Sequence, residues 1–123
     1  MIQIDKDEND AFLKESVAYL ENRGFENIKA DIEGFETPKS YLKKGTEEKI
    51  TPDIVAERQG IKHYFELSLK SKKPLLLKSK WRFLDVISRM RNQRFKIITT
   101  KGHYKFTNEM LNDLNLQKNL IKI

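Results

Sequence analysis

The chain of 123 residues contains no cysteine. It therefore has no disulfide, no thiolate metal site and no cysteine nucleophile, and we expect a protein of a reducing, cytoplasmic compartment. Long apolar runs are also missing, because no stretch approaches the roughly 20 residues that a membrane-spanning helix needs. Residues 1–10 are acidic and lack the apolar core of a secretory signal. We expect a soluble protein with no membrane partner.

The sequence also lacks internal repeats, low-complexity tracts and Gly/Ser-rich linkers. A chain of 123 residues has the length of one ordinary domain and is too short for two. We therefore expect residues 1–123 to form a single domain around one hydrophobic core.

Charge, in contrast, is abundant and unevenly distributed. The 24 Lys and Arg residues exceed the 18 Asp and Glu residues, for a net charge of +6. Residues 1–60 contain 9 basic and 14 acidic residues, whereas residues 61–123 contain 15 basic and 4 acidic residues. A basic surplus of this kind favours polyanionic partners, with nucleic acid first and an acidic membrane second.

The spacing of apolar residues predicts an alternation of helices and strands. The predicted elements are a helix over Asp10–Arg23 with Asn9 or Asp10 as its N-cap, a strand and a second strand or loop within Glu26–Lys49, strands over Asp53–Arg58 and Ile61–Lys70 joined by a Gln59–Gly60 turn, a helix over Pro74–Arg94, a strand over Phe95–Thr100, and a helix from Thr107 or Asn108 to Leu116. This order predicts an α/β fold in which helices cover a central sheet.

The strand predicted over Ile61–Lys70 has two different faces, because side chains alternate along a strand. One face is apolar and built for burial. The other displays a carboxylate, a hydroxyl and an amine, from Glu66, Ser68 and Lys70. Glu66 lies in the middle of this strand, where Glu is depleted.

A motif spans the predicted hairpin: Pro52-Asp53 opens the first strand, and Glu66-Leu67-Ser68 lies on the second. This pattern resembles the PD-(D/E)xK nuclease superfamily, and the hairpin is most similar to that of archaeal Holliday junction resolvases. The resemblance implies a restriction-endonuclease-like core, with a central mixed β-sheet flanked by helices. It also implies a metal-dependent endonuclease that hydrolyses DNA phosphodiester bonds, with branched or junction DNA as one class of substrate.

Two carboxylates on adjacent strands make an oxygen-rich site for Mg²⁺ or Mn²⁺, which can hold a phosphate and activate water. The resemblance implies that the metal ligands are Asp53, Glu66 and the backbone carbonyl of Leu67. The alternative is that both carboxylates belong to ion pairs or turns.

Ser68 occupies the position of the motif lysine and is therefore a candidate catalytic residue that cannot supply the lysine's charge. A lysine there would position or deprotonate water and offset charge on the phosphate. Lys70 lies about 7 Å further along the same face and is the candidate for a relocated lysine, with Lys72 a weaker one. The alternative is a solvated Lys70 beside a degenerate site.

A carboxylate on the first helix often completes the metal site in this family. Glu15, nine residues before Gly24, is the candidate, although the family register would equally place this carboxylate at Leu13. The alternative is that Glu15 is an ordinary exposed residue of the helix surface.

The region around the long helix, residues 72–94, holds eight basic residues and one acidic residue, Asp85. We predict that it contacts nucleic-acid phosphates, although ordinary solvation of a surface helix is the alternative. The predicted nucleic-acid contacts are Lys72, Lys73, Lys78, Arg82 and Arg89, together with Lys101 and His103 from the following loop. Trp81 is interpreted as core packing rather than base stacking, and His63 as structural.

Three functions remain open from the sequence. The first is a Mg²⁺- or Mn²⁺-dependent endonuclease, which by resemblance would be a homodimer. The second is a catalytically degenerate domain that binds nucleic acid without cutting it. The third is a protein-interaction subunit whose acidic N-terminal half binds a basic partner.

Overall fold

The computed structural model of the protein describes residues 6–123, with side chains from Asn9 onward. The helices are α1 (Lys6–Asn22), α2 (Pro74–Met90) and α3 (Tyr104–Leu114). The strands are β1 (Glu26–Ala30), β2 (Tyr41–Leu42), β3 (Lys49–Ile50), β4 (Ile54–Arg58), β5 (Ile61–Ser68), β6 (Arg94–Thr99) and β7 (Leu120–Lys122), with a 3₁₀ turn over Gln117–Asn119. No helix within residues 6–123 is long and apolar enough to cross a membrane.

Five strands form one mixed sheet in the order β1-β4-β5-β6-β7. β4 runs antiparallel to both β1 and β5, whereas β6 is parallel to both β5 and β7. The two parallel connections pass through α2 and α3, as parallel strands require a crossover. β2 and β3 form a separate hairpin. The predicted α/β class, with a mixed sheet and flanking helices, is confirmed.

Helices cover both faces of the sheet. On one face α1 contributes Phe12, Leu13, Val17 and Leu20 to a core that includes Phe65 and Leu67 of β5. On the other face α2 and α3 pack over Tyr64 and Ile97. The expectation that one face of β5 displays its polar side chains was wrong, because α2 and α3 bury Tyr64, Glu66 and Ser68 as well.

Several element boundaries differ from the prediction. α1 begins at Lys6, so Asn9 lies inside the helix with a buried side chain and is not its N-cap. α2 ends at Met90, because the chain turns through Asn92, at φ 55°, before it enters β6. α3 begins at Tyr104 rather than at Thr107 or Asn108. β7 was not predicted, because a strand of three residues is too short to show an alternating pattern.

The turn between β4 and β5 sets the position of the motif residues. Gln59 and Gly60 both have positive φ, at 54° and 77°, as a two-residue hairpin turn of matching twist requires. The turn pairs Arg58 with Ile61, and the ladder continues in register to Ile54 and Phe65. The next positions along the two strands are Asp53 and Glu66, which therefore lie opposite each other.

Candidate active site

Asp53 and Glu66 are locked together by backbone hydrogen bonds. The N–H of Asp53 donates to Glu66 Oε2 at 2.9 Å, and the N–H of Leu67 donates to Asp53 Oδ2 at 2.8 Å. Each carboxylate therefore accepts a hydrogen bond from the strand that carries the other. This reciprocal arrangement fixes both side chains on rigid strands.

An ammonium group completes this pair, and it belongs to Lys80 of α2. Lys80 Nζ lies 3.0 Å from Glu66 Oε1 and 3.5 Å from Asp53 Oδ1. Lys80 lies on the buried stripe of the helix, between Leu77 and Leu84. The packing of this stripe against the sheet therefore carries the amine to the carboxylates. We call Asp53, Glu66 and Lys80 the triad.

The triad is almost completely removed from solvent. The exposed fraction is 7% for Asp53, 1% for Glu66 and 9% for Lys80. Burial, reinforced by the negative charge of Asp53, raises the pKa of Glu66 to about 7 even though Lys80 opposes the shift. Burial alone would lower the pKa of Lys80, but the charges of Glu66 and Asp53 outweigh it and raise that pKa. Lys80 is therefore a permanent cation, whereas Glu66 titrates near neutral pH.

A cavity of about 360 Å³ opens beside Asp53. Asp10 and Leu13 of α1 form part of its wall, and Asp31, which follows β1, forms another part. The remaining lining residues are Thr37, Pro38, Ser40, Thr51 and Pro52. Among the described lining residues there are three acids and no lysine or arginine, so this part of the wall favours a cation next to Asp53 over a bare phosphate.

Mg²⁺ or Mn²⁺ as a cofactor stays a prediction, and all four oxygens of Asp53 and Glu66 contact a backbone N–H or Lys80 in this structure. Mg²⁺ is usually held by one or two carboxylates, with water and substrate phosphate as its other ligands. Asp53 and Glu66 supply two such carboxylates on facing strands. Among the side chains from Asn9 onward, no group of three or more His, Asp or Glu is placed to hold a metal. The carbonyl of Leu67 as a further ligand stays a prediction.

Ser68 lies outside the triad, although it holds the motif position. It is fully buried, and its Oγ lies 2.6 Å from Thr107 Oγ1 of α3. Thr99 Oγ1 donates to the carbonyl of Ser68 at 2.9 Å and lies 3.0 Å from Thr107 Oγ1. Ser68 therefore joins β5 to α3 through a cluster of hydroxyl groups, and nothing in this geometry gives it a catalytic role.

Lys70 and Glu15 also lie away from the carboxylates. Lys70 is exposed beyond the end of β5, and its backbone N–H donates to His103 Nδ1 at 2.8 Å. Its amine makes no ion pair with the described side chains, and the ammonium that contacts Glu66 is that of Lys80. A catalytic role for Lys70 stays a prediction. Glu15 is exposed on α1, whose Leu13 and Asp10 line the cavity instead.

The predicted nucleic-acid contacts fall into two groups. Lys72, Lys73 and Lys101 are exposed and His103 is half-buried, all on the loops that leave the carboxyl ends of β5 and β6. These loops lie at the same sheet edge as Asp53. On α2 the positive charge is partly neutralised, because Lys78 pairs with Asp113 at 2.7 Å and Arg89 pairs with Asp85 at 2.9 Å. Arg82 is exposed and makes no ion pair with a described side chain.

His63 and Trp81, which the sequence analysis interpreted as structural, are both buried. His63 is buried, lies edge-on to Phe25 at 5.0 Å and stacks with Phe65 at 5.8 Å. Burial, followed by the nearby cations, lowers its pKa. Trp81 is completely buried in the core between α2, α3 and the sheet, so it is not available to a base.

Sequence reasoning missed Lys80 as a member of the site. It counted Lys80 among the basic residues around the long helix and did not separate it from the exposed ones. The available signal was its position, because a lysine between Leu77 and Leu84 on the apolar stripe is buried and must have a partner. Asp10 was also missed as a lining residue.

No protein-family model, no curated protein and no solved structure matches the chain. What can be said of its function therefore depends on the geometry of the triad, the adjacent cavity and the charges around them.

Proposed function

We propose that the chain is a metal-dependent endonuclease with a restriction-endonuclease-like core, in which Lys80 replaces the motif lysine. The observation that carries the proposal is the contact of one buried ammonium with both motif carboxylates. A buried ion cluster is a poor source of stability, because desolvation offsets most of the attraction. Perturbed, buried charges beside a cavity are instead common at functional sites.

Each member of the triad has a distinct role in this proposal. Asp53 and Glu66 would hold Mg²⁺ or Mn²⁺, which would supply a Lewis acid for the scissile phosphate and for a water molecule. Lys80 donates N–H groups to water or phosphate oxygens and offsets the negative charge that develops on the phosphate. Because its pKa is raised, Lys80 acts as a cation and hydrogen-bond donor and not as the general base.

The surroundings of the triad support a nucleic-acid substrate. Lys70, Lys72, Lys73 and Lys101 are exposed at the same sheet edge, where they can contact phosphates on either side of the scissile bond. DNA as the nucleic acid, junctions among its substrates and a homodimer that cuts two strands are parts of the proposal that come from the resemblance.

The test is a cleavage assay with Mn²⁺ or Mg²⁺ on linear, single-stranded and four-way-junction DNA. Asp53→Asn and Lys80→Met are expected to lower cleavage by about 100-fold or more, the scale of losing one preorganised charge or donor. Asp31→Asn is the matched control for Asp53, since it removes an acid from the wall of the same cavity. Lys70→Met is the control for Lys80. Both controls are expected to lower cleavage only a few-fold, because Asp31 adds charge to the cavity wall and Lys70 adds one phosphate contact, whereas neither contacts the triad.

Circular dichroism establishes that each variant is folded. Lys80→Arg keeps the charge with a different shape and is expected to recover the fold but only part of the activity. A folded Lys80→Met protein that cuts at the parental rate overturns the role of Lys80. Loss of cleavage in Lys70→Met with full activity in Lys80→Met would assign the relocated lysine to Lys70.

A second candidate function is a nucleic-acid-binding domain that does not cut. It is favoured by the internal satisfaction of the triad, in which protein N–H groups and Lys80 contact both carboxylates. Lys80 would then replace the charge of a metal permanently. In that case the parent shows no cleavage with either cation, and Asp53→Asn leaves binding unchanged.

A further inference from the structure

A second group of basic side chains lies at the sheet edge opposite the triad. β4 ends there, and the parallel strands β5 and β6 begin there. α1 and α2 also end at this edge, as shown by the contact of Arg58 with the carbonyl of Arg23 and by the entry from α2 into β6. We call the following six residues the basic edge: Arg23, Arg58, Lys62, Arg91, Arg94 and Lys96.

The basic edge is separate from the lysines beside the triad. Lys62 precedes Glu66 by four residues of β5, or about 13 Å along the strand. It precedes Lys70 by eight residues, or about 26 Å if the chain stays extended. A ligand that covers both basic regions must therefore extend along the whole sheet.

Four of the six cations of the basic edge contact aromatic rings instead of carboxylates. The distances from the charged group to the ring centre are 4.7 Å for Arg23 on Tyr19, 4.5 Å for Arg58 on Phe25, 5.6 Å for Lys62 on Tyr64 and 5.3 Å for Arg91 on Tyr41. Among the described side chains, none of the six forms an ion pair. A ring contact orients a cation without neutralising it, so their charge remains available to a ligand.

Nearby negative charge does not balance this group. Among the described residues, three carboxylates lie on the same helix and strand ends as the six cations, namely Glu21, Glu26 and Glu57. The C-termini of α1 and α2 add about half a negative charge each. A surplus of about two positive charges remains, so capping of the helix ends accounts for only part of the basic edge. His63 experiences this field, because Arg58, Lys96 and Arg94 contribute to the lowering of its pKa after burial.

We propose that the basic edge binds the phosphate backbone of a nucleic acid, outside the segment that reaches the triad. Four of its six cations are arginines, whose planar groups match phosphate oxygens and stack on aromatic rings. The ring contacts hold Arg23, Arg58 and Arg91 in place, which lowers the entropic cost of ligand binding. The proposal rests on the proposed function only in naming nucleic acid as the polyanion.

The test measures binding in EDTA, where no cleavage occurs. The probe is a labelled DNA duplex of about three helical turns, titrated at several salt concentrations. The variant is Arg91→Glu/Arg94→Glu, and both residues are exposed. The matched control is Lys14→Glu/Lys44→Glu, which makes the same change in net charge at exposed positions on α1 and in the β2–β3 turn.

Arg91→Glu/Arg94→Glu is expected to weaken binding at low salt by about tenfold or more and to reduce the slope of log affinity against log salt by about two. The control is expected to keep the parental slope. Arg91→Gln/Arg94→Gln removes the charges without reversing them, and it replaces the reversal variant if that variant fails to fold. It is expected to show the same change in the slope of log affinity against log salt.

Equal slopes for the parent and the basic-edge variants overturn the proposal. A second outcome would also overturn the proposal: the protein binds phosphatidylserine vesicles through Arg91 and Arg94 and does not bind the duplex. The basic edge would then bind a membrane surface. The cleavage assay is independent of this result. Edge-dependent binding without cleavage refutes the nuclease function alone, and cleavage without edge-dependent binding refutes this proposal alone.

Discussion

At the scale of single residues, the triad is a unit in which each charge depends on the other two. Two carboxylates on facing strands repel each other, and burial strengthens that repulsion. Lys80 stabilises both at distances of 3.0 and 3.5 Å. Removing one partner therefore leaves a buried charge without compensation, which is far more costly than removing the whole cluster.

We predict that Lys80→Met lowers the free energy of unfolding by about 3 kcal/mol or more at pH 8, because two buried carboxylates lose their cation. Urea denaturation measures the change. The control is Asp53→Asn/Glu66→Gln/Lys80→Met, which removes all three charges and is expected to regain most of the loss. Equal stability of Lys80→Met and the parent contradicts this view of the triad.

Glu66 contributes to the free energy of unfolding in a way that decreases as pH rises, which is opposite to the usual effect of a paired carboxylate. Burial beside Asp53 raises the pKa of Glu66 in the folded protein to about 7, from an ordinary value of 4.5. Between these two values the folded state binds more protons than the unfolded state, so this contribution to stability decreases as pH rises. It is fully present below about pH 4.5 and is lost as pH rises through about 7.

The prediction is that, in EDTA, Glu66→Gln gains stability relative to the parent as pH rises from 5 to 8, by up to about 3 kcal/mol. Urea denaturation of both proteins at each pH gives this difference and cancels the effects of other groups. A difference that is constant over this range would show that Glu66 keeps an ordinary pKa.

At the scale of elements, α3 limits which side chain position 68 can accommodate. α3 covers the end of β5 and holds Ser68 in contact with Thr107. A side chain at this position has no route to solvent, so the motif lysine would be buried beneath a helix. The ammonium instead arrives from α2, the helix that packs directly over Glu66.

Restoring the motif lysine is therefore expected to harm the protein. Ser68→Lys should lower the free energy of unfolding by several kcal/mol, because a lysine placed among Thr99 and Thr107 is desolvated and far larger than serine. Thermal unfolding and the cleavage assay check this. Ser68→Ala is the size control and should cost only about 1 kcal/mol without loss of cleavage. Increased cleavage by Ser68→Lys contradicts the assignment of Lys80.

Elements with a strong local pattern were predictable. The hairpin of β4 and β5 followed from strand alternation and the Gln59–Gly60 turn, and the three α-helices followed from the spacing of apolar residues. Helix ends were less accurate, because the end of α2 depends on the connection into β6. β7 escaped prediction because its three residues are stabilised by pairing with β6, which no local signal reveals.

At the scale of the whole molecule, the uneven charge of the sequence becomes a difference between layers. From Asn9 onward α1 contains one basic and three acidic residues, and α2, on the other side of the sheet, contains four basic residues and one acidic residue. One helix layer is therefore acidic and the other carries the cation of the triad.

Cation binding should stabilise the whole molecule. A ligand that binds only the folded state at 100 times its Kd adds about 3 kcal/mol of stability. We predict that Mn²⁺ raises the Tm of the parent at pH 8 and that the shift is lost in Asp53→Asn and kept in Asp31→Asn. Differential scanning calorimetry measures both. A parent without any shift, with binding of DNA intact, favours the non-cutting alternative.

The sequence alone determined the α/β class, the hairpin and its two facing carboxylates, because these depend on alternation, turn chemistry and short-range register. It also determined that the surplus charge is positive and lies in the second half. Only the tertiary structure decided which lysine contacts Asp53 and Glu66, because Lys80 is 14 residues from Glu66 and reaches it through the packing of α2 on the sheet. The basic edge likewise combines residues that follow the C-termini of α1 and α2 with residues of β4, β5 and β6. Its members are brought together by the order and direction of the strands, which local sequence does not encode.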